Sequence, residues 1–438
     1  MANKIRFLTG ITTSGTPHLG NYVGSVRHSV RFSLRPDVES YYFLADYHAL
    51  IKVDQPERIP RSTLEIAASW LACGLDPERV TFYRQSDIVE IPELTWLLTC
   101  VTGKGMLNRA HAYKAASDKN TARGDDPDAD VSAGLFMYPV LMGADILLFN
   151  AHKVPVGRDQ VQHIEMARDM AQRFNHLYGE HFTLPEAEID EAVATLPGLD
   201  GRKMSKSYDN TIPLFAPRGQ LQKLIAGIVT DSRAPGEPKE TEGSALFQIY
   251  QAFADAGETE ALRKSYAKGI GWGDAKQVLF ERIDREVAPL RERYEALMAH
   301  PAEIERILLA GADKARALSR PFMTRLREAV GLRRLDASAS GSSTAKTTRQ
   351  QRASFKQYKD SDGMFYFKFL DADGNQLLQS RGFESPRDAG QAIARLRQQP
   401  GSALTELAAK LETLDAEGMR LATGALEALA ADTTAGDK

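Results

Sequence analysis

Between Ile5 and about Phe182, short runs rich in β-branched and aromatic residues alternate with longer amphipathic stretches. Ile5–Gly10, Tyr41–Ala45, Val80–Tyr83 and Lys153–Val156 read as strands, and this alternation predicts a parallel sheet with crossover helices. One crossover is plain: Ile66, Trp70 and Cys73 recur at i, i+4 and i+7, Arg58, Arg61 and Glu65 lie elsewhere on the wheel, and Gly74 ends it. Such a sheet binds ligands beyond the carboxyl ends of its strands, so the loops after Gly10, Ala45 and Val156 are where chemistry is expected.

From about Phe215 to Leu335 the strand signal fades and helical periodicity takes over, including Gln277–Met298 and Pro301–Arg320, which predicts an all-α region. The small polar run from Ala337 to Ser343 reads as a flexible linker. It continues into Lys346, Arg349, Arg352, Lys356 and Lys359 with no acid between them. Met364–Phe369 and Gln376–Ser380, on either side of an Asp-Gly turn, predict a hairpin. A helix over Ser385–Gln398 completes a β-β-α unit, and Thr405–Ala431 is helical in pattern.

Composition narrows the classes. With Lys+Arg 55 against Asp+Glu 58, the net charge of -3 exerts no global pull on nucleic acid, so any such surface is local. Two cysteines, Cys73 and Cys100, outside any CxxC or Cys/His spacing, predict buried small side chains, a reducing compartment and no structural metal. With no signal peptide pattern and no apolar run near the roughly 20 residues needed to span a bilayer, the expected location is the cytoplasm.

Two segments carry candidate chemistry. Thr9–Asn21, small residues closing a strand and opening a helix, presents backbone N–H groups to an anion; with no lysine of the GxxxxGK[ST] pattern, it is equally compatible with an ordinary turn when taken alone. Gly201–Ser207 holds Lys203 and Lys206 three apart among hydroxyls, and mobile ammonium groups can follow charge as it moves onto a leaving pyrophosphate.

Together Pro17-His18-Leu19-Gly20-Asn21 and Lys203-Met204-Ser205-Lys206-Ser207, roughly 185 residues apart, resemble the HIGH and KMSKS signatures of class I aminoacyl-tRNA synthetases. Within that class the chain is similar to the bacterial tryptophanyl-tRNA synthetase family, through Asp46-Tyr47-His48-Ala49, Tyr138–Leu147, Val154–Glu165 and Ala267–Gly273. The resemblance implies an α/β fold: a Rossmann-type catalytic domain over 1–215, a helical anticodon-binding domain over 216–335, a flexible basic linker over 336–351 and a C-terminal module with a helical tail over 352–438. That module resembles the YegP-like (DUF1508) family through Gly363–Phe369 and Gly382–Ser385.

The implied reaction is activation of L-tryptophan by ATP, with Mg²⁺ accompanying the nucleotide, followed by transfer to tRNA(Trp) on a homodimer. The resemblance assigns catalysis to His18, Asn21, Lys203 and Lys206. It assigns ATP to the Thr12, Thr13 and Ser14 backbone, Gly20, Asn21, Gly157, Arg158, Asp159, Leu196, Lys203, Met204, Ser205, Lys206 and Ser207, with Lys114 as a further phosphate ligand or an ordinary helix lysine. Asp145, Tyr138, Met142, Gln160 and His48 are assigned to tryptophan. The indole N–H is a donor only and a carboxylate an acceptor only, so Asp145, an acid in an apolar run that needs a donor partner, suits it. Leu8, Thr12 and Arg158 depart from the family pattern, which more often has an aromatic residue, a glutamine and an acid there. A tyrosine–tRNA ligase, a synthetase-like tRNA-binding protein without ligase activity and a pantothenate-type nucleotidyltransferase are the alternatives.

Overall fold

The computed structural model describes residues 4–13, 15–51, 55–189, 196–332, 353–371 and 374–435, without the side chains of Asp159, Ser207 and 431–435. Contacts divide the chain into two compact units, Met1–Arg334 and Leu335–Lys438. The expected linker 336–351 and Ser14 lie outside the described residues.

In the first unit β1 (Ile5–Thr12), β2 (Val38–Ala45), β3 (Thr81–Arg84), β4 (Lys153–Pro155) and β5 (Glu186–Glu188) form a parallel sheet in the order β3-β2-β1-β4-β5. The sequence reading found the first four and missed β5, whose Glu-Ala-Glu carries no apolar run. Pairing β1 with both β2 and β4 places the change of winding direction at the carboxyl end of β1, where an open sheet parts to hold a ligand.

Alternation along the strands feeds two cores. Phe7, Tyr42, Leu44 and Phe82 face one layer; Leu8, Tyr41, Phe43 and Tyr83 face the other. Over the first layer lie α1 (Arg58–Ala72), with Ile66 and Trp70 buried, and later α5 (Trp272–Met298). Over the second lie α2 (Glu90–Val101), α3 (Ala133–Leu147) and α4 (Val161–Tyr178). The helices beyond residue 216 add directly to this body. α6 (Pro301–Ala329) runs against β3 so closely that a Cβ at Gly311 would sit 1.7 Å from the Phe82 carbonyl oxygen, while Ala312, Ala315, Phe322 and Met323 join the second core.

Two local expectations need correction. Glu65, placed off the apolar face of α1, is nevertheless only 6% exposed, and Thr16 and Arg61 bond its carboxylate. Cys100 is exposed and Cys73 half-buried, since the face of α2 carrying Pro92, Trp96 and Cys100 is uncovered.

The second unit has β6 (Ser354–Lys359), β7 (Phe365–Leu370) and β8 (Gln376–Gln379) in an antiparallel sheet. Phe367, Phe369 and Leu378 pack against α7 (Pro386–Gln398), capped by Ser385, and α8 (Ala416–Ala435). The expected β-β-α unit is therefore β-β-β-α: Lys356 and Lys359, read as part of a basic run, sit on β6, whose polar composition hid it. The stretch from Thr405 is broken at 407–415 rather than one helix. No helix among the described residues is long and apolar enough to cross a membrane.

Candidate active site

A cavity of roughly 500 Å³ opens at the carboxyl edge of the sheet, between the ends of β1, β2 and β4. Leu8, Gly10, Phe43, Ala45, Val154 and Val156 supply apolar walls, and Gly157 and Gln160 line it after β4. Gly10 is needed here because a Cβ would meet the Phe43 ring at 2.5 Å. From α3, Tyr138, Met142 and Asp145 reach the same cavity, because positions i, i+4 and i+7 share one helix face.

Asp145 is 1% exposed. His48, in the turn after β2, bonds its Oδ2 through Nε2 at 2.8 Å, and Gln85, at the end of β3, donates to Oδ1 at 2.7 Å. Burial pushes the Asp145 carboxyl above its usual range, against the pull of His48 and Gln85. Two protein donors leave lone pairs on a group that accepts about four, so the carboxylate retains capacity for a donor in the cavity. Gln85, itself fully buried, accepts from the Tyr47 N–H at 3.1 Å. The sequence reading passed over it, although its position directly after β3 obeys the same strand-end rule.

Beside this pair Tyr138 Oη and His163 Nε2 are 2.6 Å apart, and His163 Nδ1 and Gln160 Oε1 2.8 Å. An amide oxygen only accepts, so a neutral His163 carries its proton on Nδ1 and Tyr138 donates to Nε2. The tyrosine oxygen then keeps a lone pair for an ammonium group. His163 lay within a quoted motif but had been given no role.

The other half of the site is built by the two signature loops. Leu19 N–H bonds the Ile212 carbonyl and Leu214 N–H the Pro17 carbonyl, at 2.9 and 3.0 Å, so the segments meet across the chain. His18 caps the following short helix: its Nδ1 accepts from the Asn21 N–H at 3.3 Å, and Asn21 Oδ1 accepts from the His18 N–H at 3.0 Å. Burial, helped by Lys206, lowers the His18 pKa to about 4. The ring is thus neutral at pH 7, with Nδ1 occupied as acceptor and Nε2–H left as donor.

Lys206 lies over the first loop: a Cβ on Gly15, at φ +135°, would stand 3.0 Å from its Nζ. Met204 is buried, with Sδ 3.6 Å from the Cβ position of Gly20, and its N–H bonds the Leu196 carbonyl at 2.8 Å. Lys203 is exposed and bridges to Pro197. Asn210, 2% exposed, ties the lysine loop: its Oδ1 accepts from Ser205 N–H at 2.8 Å, and its Nδ2 donates to Asp200 at 2.6 Å and to the Lys203 carbonyl at 3.1 Å. No sequence signal pointed to Asn210.

Thr12, Gly157 and Arg158 are exposed, whereas Thr13 is fully buried. Lys114 sits exposed on the helix His111–Arg123.

A parallel sheet wound in this order, a small-residue loop at the end of its first strand and a lysine loop folded onto it define a class I aminoacyl-tRNA synthetase. The profile of the family described as tRNA synthetases class I (W and Y) matches residues 1–287. The chain is 67% identical over 396 residues to the tryptophan–tRNA ligase of Xanthomonas campestris pv. campestris, covering 90% of this chain and 92% of that one. With the enzyme of Pseudomonas aeruginosa it shares 63% over 394 residues, 89% and 88% of the two chains. The crystal structure of Campylobacter jejuni tryptophanyl-tRNA synthetase complexed with ADP and tryptophan matches at TM-score 0.68 and 42% identity, over 75% of this chain and 100% of that one. The chain belongs to the tryptophanyl-tRNA synthetase family.

Proposed function

We propose that this protein is a tryptophan–tRNA ligase working from the cytoplasm: it activates L-tryptophan with ATP to the adenylate, releasing pyrophosphate, and then passes the aminoacyl group to tRNA(Trp). The observation that carries this reading is the buried carboxylate of Asp145, held by His48 and Gln85 on the wall of a cavity that is, among the described residues, otherwise free of charged acids and largely apolar around Leu8, Phe43, Val154 and Val156. An indole fits both its shape and its need for one more donor, and a phenyl ring would leave the acceptor unmatched, a discrimination that hydrogen-bonding sites make strongly.

In the first step the amino acid carboxylate attacks the ATP α-phosphorus and pyrophosphate leaves. Tyr138 and Gln160 hold the ammonium, and Met142 packs against the ring. The Thr12–Ser14 backbone, Gly20, Gly157 to Asp159 and Leu196 cradle the nucleotide, with Met204, Ser205 and Ser207 shaping the lysine loop around it. His18 donates through Nε2–H, Asn21 contributes its amide, and Lys203 and Lys206 take up the charge that develops on the leaving group. Positioning and charge stabilisation supply the catalysis. Mg²⁺ would ride on the ATP phosphates, since the side chains that the two signature motifs themselves contribute, His18, Asn21, Lys203 and Lys206 among them, are cationic or neutral. In the second step a ribose hydroxyl of the tRNA terminus attacks the adenylate carbonyl and AMP leaves.

The helices beyond residue 216 serve as the anticodon-reading part of the enzyme. A homodimer is supported by α2, where Trp96 stands 67% exposed beside exposed Val89, Pro92 and Cys100, an apolar patch of the kind that marks protein contacts. The C-terminal unit is a YegP-like module.

The decisive experiment is exchange of labelled pyrophosphate into ATP with tryptophan, with tyrosine and with no amino acid, for the wild type and Asp145→Ala. Exchange with tryptophan alone, falling at least about 100-fold in the variant, is the expected result. Exchange supported by tyrosine instead would transfer the assignment to the tyrosine enzyme, and none at all would leave a binding protein without ligase activity.

A further inference from the structure

Behind the first signature loop lies a buried carboxylate that the reaction above does not use. Glu65, on α1, is 6% exposed. Its Oε2 accepts from Thr16 Oγ1 at 2.7 Å, and its Oε1 from Arg61 Nε at 2.9 Å. Arg61 is 80% exposed and so compensates little of the carboxylate's charge on its own. Thr16 directly follows Gly15, over which the Lys206 ammonium rests.

We propose that Glu65 is a positioning residue for adenylate formation: it anchors the first loop through Thr16 and acts as the resting counter-charge of Lys206 until a triphosphate replaces it. This rests on the ligase reading above. A buried carboxylate with one exposed partner gains from a second cation, and a lysine that must meet ATP as a cation gains from an acid nearby while the site is empty.

The electrostatics run in the same sense. Loss of water lowers the Lys206 pKa from the usual lysine range and the Glu65 charge opposes that lowering. The other groups facing this pair are His18, which feels Lys206, and Tyr294 of α5, whose hydroxyl is raised to about 12 by burial and then by Glu65 against the effect of Arg61. Neither is charged at pH 7. Removing the Glu65 charge therefore lowers the Lys206 pKa further. ATP affinity that depends on the lysine charge is present below that pKa and lost as pH rises through it, so the loss begins at lower pH in the variant.

Glu65→Gln keeps the volume and an oxygen that accepts from Thr16, while removing the charge; Thr16→Val does the converse. ATP binding by calorimetry, measured from pH 7 to pH 10 on the full chain, should show the alkaline loss of affinity displaced downward by about one pH unit in Glu65→Gln and unmoved in Thr16→Val. In a Lys206→Gln background the Glu65→Gln substitution should change nothing further. In parallel pyrophosphate exchange on the alkaline limb, kcat/KM for ATP should fall about 10-fold in Glu65→Gln with KM for tryptophan unchanged. An alkaline limb that stays in place, or a Glu65→Gln effect that persists without Lys206, overturns the proposal. Tryptophan-dependent exchange by the wild type is scored separately, so failure of the ligase reading is told apart from failure of this one.

Discussion

At the scale of single residues, Asn210 organises the lysine loop more than the loop's own sequence does. One amide satisfies Ser205 N–H, the Lys203 carbonyl and Asp200 at once, and Gly198 packs so tightly on it that a Cβ there would come within 2.4 Å. Asn210→Ala takes a hydrogen-bond partner from the Ser205 N–H and the Lys203 carbonyl, both part-buried, and such a loss costs about 1–3 kcal/mol each when unrelieved. Part of that loss should be relieved by water, so thermal unfolding should move down modestly. kcat/KM for ATP should drop more than about 10-fold, because Lys203 and Lys206 lose their geometry. Near-normal exchange would show that the loop holds its shape without this residue. Asp145 could be picked out from its apolar neighbours, an acid in such a run being costly unless paired. Asn210 and Gln85 have polar neighbours along the chain and Glu65 stands between Leu64 and Ile66 on an amphipathic helix, and only the folded positions of their partners distinguish them.

At the scale of elements, the crossing of α6 over β3 depends on one missing side chain. Helix propensity alone favours Ala over Gly in a helix interior by about 1 kcal/mol, yet a Cβ at Gly311 would lie 1.7 Å from the Phe82 carbonyl oxygen, 2.5 Å from its carbon and 3.2 Å from its nitrogen. A strand backbone in a sheet cannot yield by that much, so the clash dominates. Gly311→Ala should lower stability in urea by roughly 3 kcal/mol, and a neutral or stabilising result would mean that α6 can slide on the sheet. The elements themselves were differently legible. β1 to β4 and the long helices are written in apolar periodicity, whereas β5 and β6 lack it. Glu-Ala-Glu and Ser-Phe-Lys-Gln-Tyr-Lys become strands because β4 and β7 offer hydrogen bonds along an edge.

At the scale of the molecule, each unit has a core of its own: among the described residues Phe367, Phe369 and Leu378 belong to the core of the second unit, and both sheet layers to those of the first. A chain ending at Arg334 should therefore unfold cooperatively and keep tryptophan-dependent pyrophosphate exchange within about twofold of the full chain. Loss of exchange in a folded truncation would assign the C-terminal unit a part in activation itself. Change confined to aminoacylation would instead place its contribution at the tRNA step.

The sequence by itself determined the α/β class, the two signature loops, the acid that would match an indole and the family, because periodicity and short motifs are local properties of the chain. Tertiary structure alone decided that His48 and Gln85 share Asp145, that His18 is neutral with Nε2–H as its donor, and that Glu65 lies beneath the loop which Lys206 covers. The physical reason is the same in each case: hydrogen bonding and desolvation depend on which distant groups are brought within about 3 Å, and no spacing along the chain encodes that distance.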